Sequence, residues 1–210
     1  SVDSTQEIAD FILKNMAKFD ALIIEDYGKG VINPKLLDKV CPAARKLNKI
    51  ISVDPKEEHF DYYRGVTVIT PNRKEAENAV HHLKIKDTEN KFKVNIARLS
   101  SDKDIDSAGR ELLRYLDLQA VLITLGERGM RLFEKGKDKP VHIDTVAQEV
   151  FDVSGAGDTV IATLTLALAS GADKLTAAHL ANFAAGIVVG KVGVATVTPQ
   201  ELLQRIALKK

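Results

Sequence analysis

Residues 21–30 read ALIIEDYGKG, an unbroken apolar run that stops at two carboxylates and a lysine set between glycines. Three later stretches repeat the plan: IISVD at 50–54, VTVIT at 66–70 and AVLIT at 120–124. Short β-branched runs without polar alternation, separated by ten or more residues of helical pattern, are the mark of parallel strands covered on both faces. The spacing predicts helices over about 5–18, 34–48, 72–83, 104–117, 157–170, 174–190 and 199–207, with Pro34 and Pro199 in first turns, where a missing N–H costs nothing. Residues 131–134 and 140–144, joined by 136–139, read as a hairpin after the last parallel strand. The polar stretch 84–106 reads as a surface loop with a short helix. No repeat and no linker divides the chain, so 1–210 is expected to be one α/β domain.

Composition narrows the function. Thirty basic against 29 acidic side chains leave a net charge of +1, so no bulk field favours nucleic acid or an anionic membrane. One cysteine, Cys41, excludes an internal disulfide and fits a reducing, cytoplasmic compartment as a buried thiol. The most apolar stretch, 160–169, is about half a bilayer span and reads as a core helix. Residues 1–10 show no secretory pattern. The chain opens on serine and enters a helical pattern at once, as expected of a fragment or a processed chain.

In open parallel sheets, ligands lie beyond the carboxyl ends of the strands. The polar clusters fall there: Glu25 to Gly30, Asp54 to Lys56, Thr70 to Glu75 and Thr124 to Gly129. A further stretch, DVSGAGDT at 152–159, runs into an apolar helix. Amides of Gly155, Ala156 and Gly157 at the head of that helix could meet an anion, and Asp158 beside a phosphoryl group could take a proton from an attacking hydroxyl. A capped helix with Asp152 or Ser154 near the N-cap would look the same. Asn72 and Glu75, three apart at a helix start, either order water around Mg²⁺ or form a capping box. Gly126 and Gly129 either admit a nucleotide or make a turn, and Lys56 is either a phosphate contact or a solvated lysine. The His81–His82 pair lacks zinc-ligand spacing, and neither a serine nucleophile elbow nor a Walker-type motif is present.

Taken together, DVSGAGDT at 152–159, NRKE at 72–75 and TLGERG at 124–129 resemble the ribokinase-like (PfkB) carbohydrate kinases, in the same order and spacing. Within that family, DYGKG at 26–30, VDPK at 53–56, TPN at 70–72 and GKVGVATV at 190–197 look like the heptose-7-phosphate kinases of ADP-heptose, lipopolysaccharide-precursor synthesis. The resemblance runs from Asp20 onward. It implies a three-layer αβα fold around a mainly parallel sheet, and ATP-dependent phosphorylation of a sugar hydroxyl. By this likeness Asp158 is the base, and Gly155, Ala156 and Gly157 form the anion hole. Asn72, Arg73, Lys74 and Glu75 serve Mg-ATP. Thr124, Gly126, Gly129, Asn182 and Gly186 line the nucleotide site, which Lys191 and Gly193 close on the adenine side. Asp26 and Lys56 meet the substrate.

Asp152 and Ser154, with backbone from Gly193 to Thr196, would hold a monovalent cation such as K⁺. Partners are then ATP and a sugar phosphate, with a homodimer allowed. Val153 and Ser154 depart mildly from the family signature. The family's first third, with its Gly-Gly signature, much of the sugar pocket and a β-stranded lid, has no counterpart before Ala21. Another sugar or nucleoside kinase, or a catalytically incomplete nucleotide-binding fragment, are the alternative expectations.

Overall fold

The computed structural model describes residues 2–147 and 149–208. Strands β1 (Ala21–Glu25), β2 (Ile50–Asp54), β3 (Val68–Ile69), β4 (Ala120–Thr124), β5 (Met130–Glu134) and β6 (Val141–Ile143) form one sheet in sequence order. The first four are parallel and the last two antiparallel, so the predicted hairpin is present. The run at 66–70 forms a two-residue ladder rather than a full strand, although Thr67 and Thr70 still donate to the β2 carbonyls of Ile51 and Val53.

The helices are α1 (Val2–Asn15), α2 (Pro34–Lys46), α3 (Arg73–Lys86), α4 (Asp102–Tyr115), α5 (Ala156–Ala169), α6 (Lys174–Val188) and α7 (Pro199–Ala207). Helix α2 joins β1 to β2, a 3-10 segment (Glu57–Tyr62) joins β2 to β3, and α3 with α4 joins β3 to β4, each stepping in one direction across the sheet. Because such crossovers share one hand, α2, α3 and α4 all land on the same face. There Leu37, Val40, Ala79, Leu83 and Leu112 pack with α1 against Ile51, Val53, Ile69, Val121 and Ile123. After the β5–β6 hairpin the chain crosses over and lays α5 and α6 on the opposite face, where Val160, Leu164 and Ala181 meet Val68, Ala120 and Leu122. The result is three αβα layers.

Residues 87–101 correct one expectation. They hold no helix, and they are not simply a surface loop: Phe92 and Leu99 are buried in the first core. Carboxylates fasten this stretch, with Asp87 accepting from Phe92 N (2.6 Å), Glu111 from Lys93 N (2.6 Å) and Glu77 from Leu99 N (2.9 Å). Each otherwise unpaired N–H receives a charged acceptor, a strong form of hydrogen bond. No helix among the described residues is long and apolar enough to cross a membrane.

Candidate active site

Period-two alternation selects which side chains reach α5. With Ile51, Val53, Val121 and Ile123 turned to the first core, their neighbours Ser52, Asp54, Leu122 and Thr124 turn to the other face. Glu25 stands opposite Asp54 in the β1–β2 register and faces the same way. The start of α5 arrives over these two ends: a β-carbon on Gly157 would lie 3.9 Å from Asp54 Oδ2.

The α5 entry is built by its backbone. Phe151 and Asp152 N–H both donate to the Val189 carbonyl, Asp152 Oδ1 accepts from Ser154 N (2.9 Å), and Gly155 takes φ +77° as the N-cap. That left-handed conformation suits glycine. Since glycine has no side chain, nothing caps the helix: Asp152 closes its own turn and Ser154 is not the cap. The Gly155, Gly157 and Asp158 amides therefore have no hydrogen-bond partner among the described residues. Ala156 departs from expectation, because its N–H already donates to the Val153 carbonyl at 3.2 Å. The amides free for the expected anion hole thus narrow to those on either side of Ala156.

Asp158 is exposed on the first turn and acts electrostatically on Glu25, Tyr27 and Asp54. Asp54 bears the strain: burial, then repulsion from Glu75, Glu25 and Asp158, push its carboxyl up to about 7. Burial followed by Asp158 raises Glu25, and burial raises Glu75 against the opposing Asn72 N–H. Such a crowd of carboxylates favours a bound cation. Sequence reading placed Asp54 and Glu25 in the polar clusters at the strand ends but gave neither a role; their signal was the pair of acids ending adjacent strands on one face.

Asn72 and Glu75 do form a capping box, with Asn72 Oδ1 accepting from Lys74 N and Glu75 N and Glu75 Oε2 accepting from Asn72 N (2.7 Å). The cap occupies one carboxylate oxygen and leaves Oε1. Lys56 lies close enough to Glu75 to lower its pKa, and its stem covers Gly28, whose added β-carbon would stand 3.3 Å from Lys56 Cγ. Among the described residues no three His, Cys, Asp or Glu side chains are grouped so as to hold an ion directly.

Beyond the α5 start opens an apolar cavity of about 620 Å³, the size of a small-ligand site. Thr124, Gly126, Gly129, Asn182 and Gly186 all line it together with Ala156 and Gly157, so the predicted nucleotide residues converge with the predicted anion hole. Two of the glycines have a further reason to be glycine. At Gly129 (φ +79°) a β-carbon would sit 2.0 Å from the Ile143 carbonyl oxygen, and at Gly186 2.8 Å from Val146 Cγ2. Asn182 donates to the Asp144 carbonyl (2.8 Å) and ties α6 to the strand exit.

The inward turn of Asp26 corrects one expectation, and three others find no support in the cavity lining. Asp26 is buried and turned inward, accepting from Gly28 N (2.8 Å) and Tyr63 Oη (2.6 Å) and meeting His59 Nδ1 at 2.7 Å, so it braces its loop rather than facing a substrate. Arg73 and Lys74 do not line the apolar cavity. They border a separate one of about 470 Å³ with Arg98, and Lys74 pairs with Glu77 at 2.7 Å. Lys191 does not line the nucleotide cavity either, for its ammonium bonds the Thr196 carbonyl (2.8 Å) and Glu201 (2.6 Å). Gly193 is likewise outside the cavity lining, and its N–H is directed to Asp152.

The family model described as pfkB family carbohydrate kinase matches residues 2–201. The Bifunctional protein HldE of Geotalea uraniireducens is 42% identical over 208 residues, covering 98% of this chain and 39% of that protein. The chain thus spans about two fifths of this curated relative. Among solved structures, Arabidopsis thaliana ribokinase complexed with ribose and ATP superposes with a TM-score of 0.74 at 20% identity, over 94% of this chain and 59% of that one. Escherichia coli phosphofructokinase-2 in complex with potassium gives 0.79 at 17%, over 99% and 63%. At such identities the two structures speak for the ribokinase-like fold alone.

Proposed function

Because this chain belongs to the pfkB family of carbohydrate kinases, we propose that it phosphorylates a hydroxyl of a sugar phosphate from ATP, with heptose 7-phosphate as the acceptor. The observation that carries the reading is the unpaired Gly155 and Gly157 amides beside Asp158 at the head of α5, whose Ala156 and Gly157 also line the 620 Å³ apolar cavity. Support for the heptose comes from the motifs at 26–30, 53–56, 70–72 and 190–197 and from 42% identity to the Bifunctional protein HldE.

The apolar cavity takes the adenine, and the phosphates run toward the head of α5. There the Gly155 and Gly157 amides stabilise charge on the transferred group, aided by the helix dipole. The acceptor oxygen bonds to the γ-phosphorus as the bond to the β–γ bridging oxygen breaks, and the hydroxyl proton passes to Asp158. Glu75, through Oε1 and water, and Asn72 would hold Mg²⁺, with Asp54 alongside; the ion supplies neutralisation of phosphate charge. Lys56, beside Glu75, is placed to meet an anionic group of the acceptor.

The test is Asp158→Asn, assayed by coupled ADP release with a panel of sugar phosphates. Turnover should fall by about 10³-fold or more while ATP affinity is kept, since the amides remain. Unchanged turnover would reject the base, and activity confined to acceptors other than heptoses would reject the substrate.

A further inference from the structure

One buried carboxylate joins the loops that leave β1 and β2. Asp26 Oδ1 accepts from Gly28 N at 2.8 Å, within its own loop. Its Oδ2 accepts from Tyr63 Oη at 2.6 Å and meets His59 Nδ1 at 2.7 Å, both from the stretch that follows β2. Tyr63 is fully buried, and burial together with the Asp26 bond raises its hydroxyl, so the oxygen keeps its proton and stays a donor. The same oxygen accepts from Lys56 N at 3.1 Å. Phe60, buried as deeply, fills the same core without a hydroxyl, so packing alone does not call for one here.

Both ends of this chain of bonds bear on Lys56. At one end its backbone N–H is held by Tyr63. At the other, Gly28 (φ +65°) forms the bed of its stem: a β-carbon there would lie 3.3 Å from Lys56 Cγ, 3.4 Å from Cε and 3.6 Å from Cδ. A lysine stem has four rotatable carbons, so its ammonium is placed only when the stem has such a bed. Tyr27, between Asp26 and Gly28, is exposed, with its hydroxyl 3.4 Å from Glu25 Oε2 and within the field of Asp158. The loop that Asp26 braces therefore borders the carboxylates under the α5 start.

We propose that Tyr63 and His59 are positioning residues for the acceptor: through Asp26 they lock the 26–30 loop to the Lys56 backbone, and so fix where the Lys56 ammonium meets the acceptor's anionic group. The acceptor half of this statement rests on the kinase reading above; the clamp half does not.

Tyr63→Phe keeps the ring and removes both hydroxyl bonds. Amide exchange followed by NMR should quicken about tenfold or more at Lys56 and at Gly28, with the β4 amides unchanged. In coupled ADP release with heptose 7-phosphate, the acceptor KM should rise about tenfold while the ATP KM stays within about twofold. His59→Ala should raise the acceptor KM as well, and His59→Asn, which returns a donor near the Nδ1 position, should restore it. Faster exchange at Lys56 alone, an unchanged acceptor KM or equal shifts in both KM values overturns the proposal. Should Tyr63→Phe fail to fold, the contrast between His59→Ala and His59→Asn decides. If the unmodified chain phosphorylates no sugar phosphate, the kinase reading fails, while amide exchange still answers whether Tyr63 clamps the two loops.

Discussion

Asp54 is the residue most at odds with its surroundings, a carboxyl under the α5 start with Glu25, Glu75 and Asp158 around it. Its folded-state pKa of about 7 against 3.8 fixes the sign of its effect on stability. Between those values the folded chain binds more protons than the unfolded one, so stability falls as pH rises from about 3.8 to about 7 and is flat above. Asp54→Asn should therefore raise the melting temperature at pH 8 and leave it nearly unchanged at pH 4. A gain of about 1 kcal/mol would appear as roughly 2–4 °C in a chain of this size. Mg-ATP should produce a larger upward shift at pH 8 in the parent than in the variant, since a cation relieves the same repulsion. Equal melting temperatures for parent and variant at pH 8 would show that Asp54 is not strained.

At the level of the element, the β4–β5 turn separates two glycines that a sequence treats alike. Gly126 (φ +61°) has open space where a side chain would go, whereas a β-carbon on Gly129 would lie 2.0 Å from the Ile143 carbonyl oxygen. Gly126→Ala should cost about 1 kcal/mol, the price of a left-handed alanine. Gly129→Ala must push β6 away and should cost more than about 4 kcal/mol or abolish folding; chemical denaturation of both variants measures the contrast. Likewise Asn72→Ala removes the Oδ1 acceptor of the Lys74 and Glu75 N–H groups, costing about 1 kcal/mol, while the Glu75 carboxylate keeps its bond to the backbone N–H of residue 72; Mg-ATP affinity should weaken beyond the stability loss only through the missing Asn72 side chain. The cap and the metal-facing role expected of this pair are compatible because a carboxylate has two oxygens. Sequence reading set them as alternatives, having no means to see which oxygen the cap would use.

For the whole molecule, the sheet ends on one side at β1, whose outer edge has no neighbour among the described residues. Ile23 in that strand is 39% exposed and Phe19 just before it 43%. An apolar open edge recruits other strands. These 210 residues on their own should therefore associate with rising concentration, and Ile23→Lys should shift sedimentation toward the monomer. Identical sedimentation of parent and variant would rule out the edge as the contact.

The four apolar runs, the helix spacings and the glycine turn at 155–157 were legible because each is a local property: periodicity, propensity and backbone freedom are written within a few residues. Partnership is not local. Whether the Ala156 amide is free, whether Asp26 turns inward to Tyr63 and His59, and which oxygen Lys191 seizes depend on segments far apart in sequence. Only the packed chain brings those segments together, because burying both sheet faces fixes where α5, α6 and the 191–196 loop come to rest.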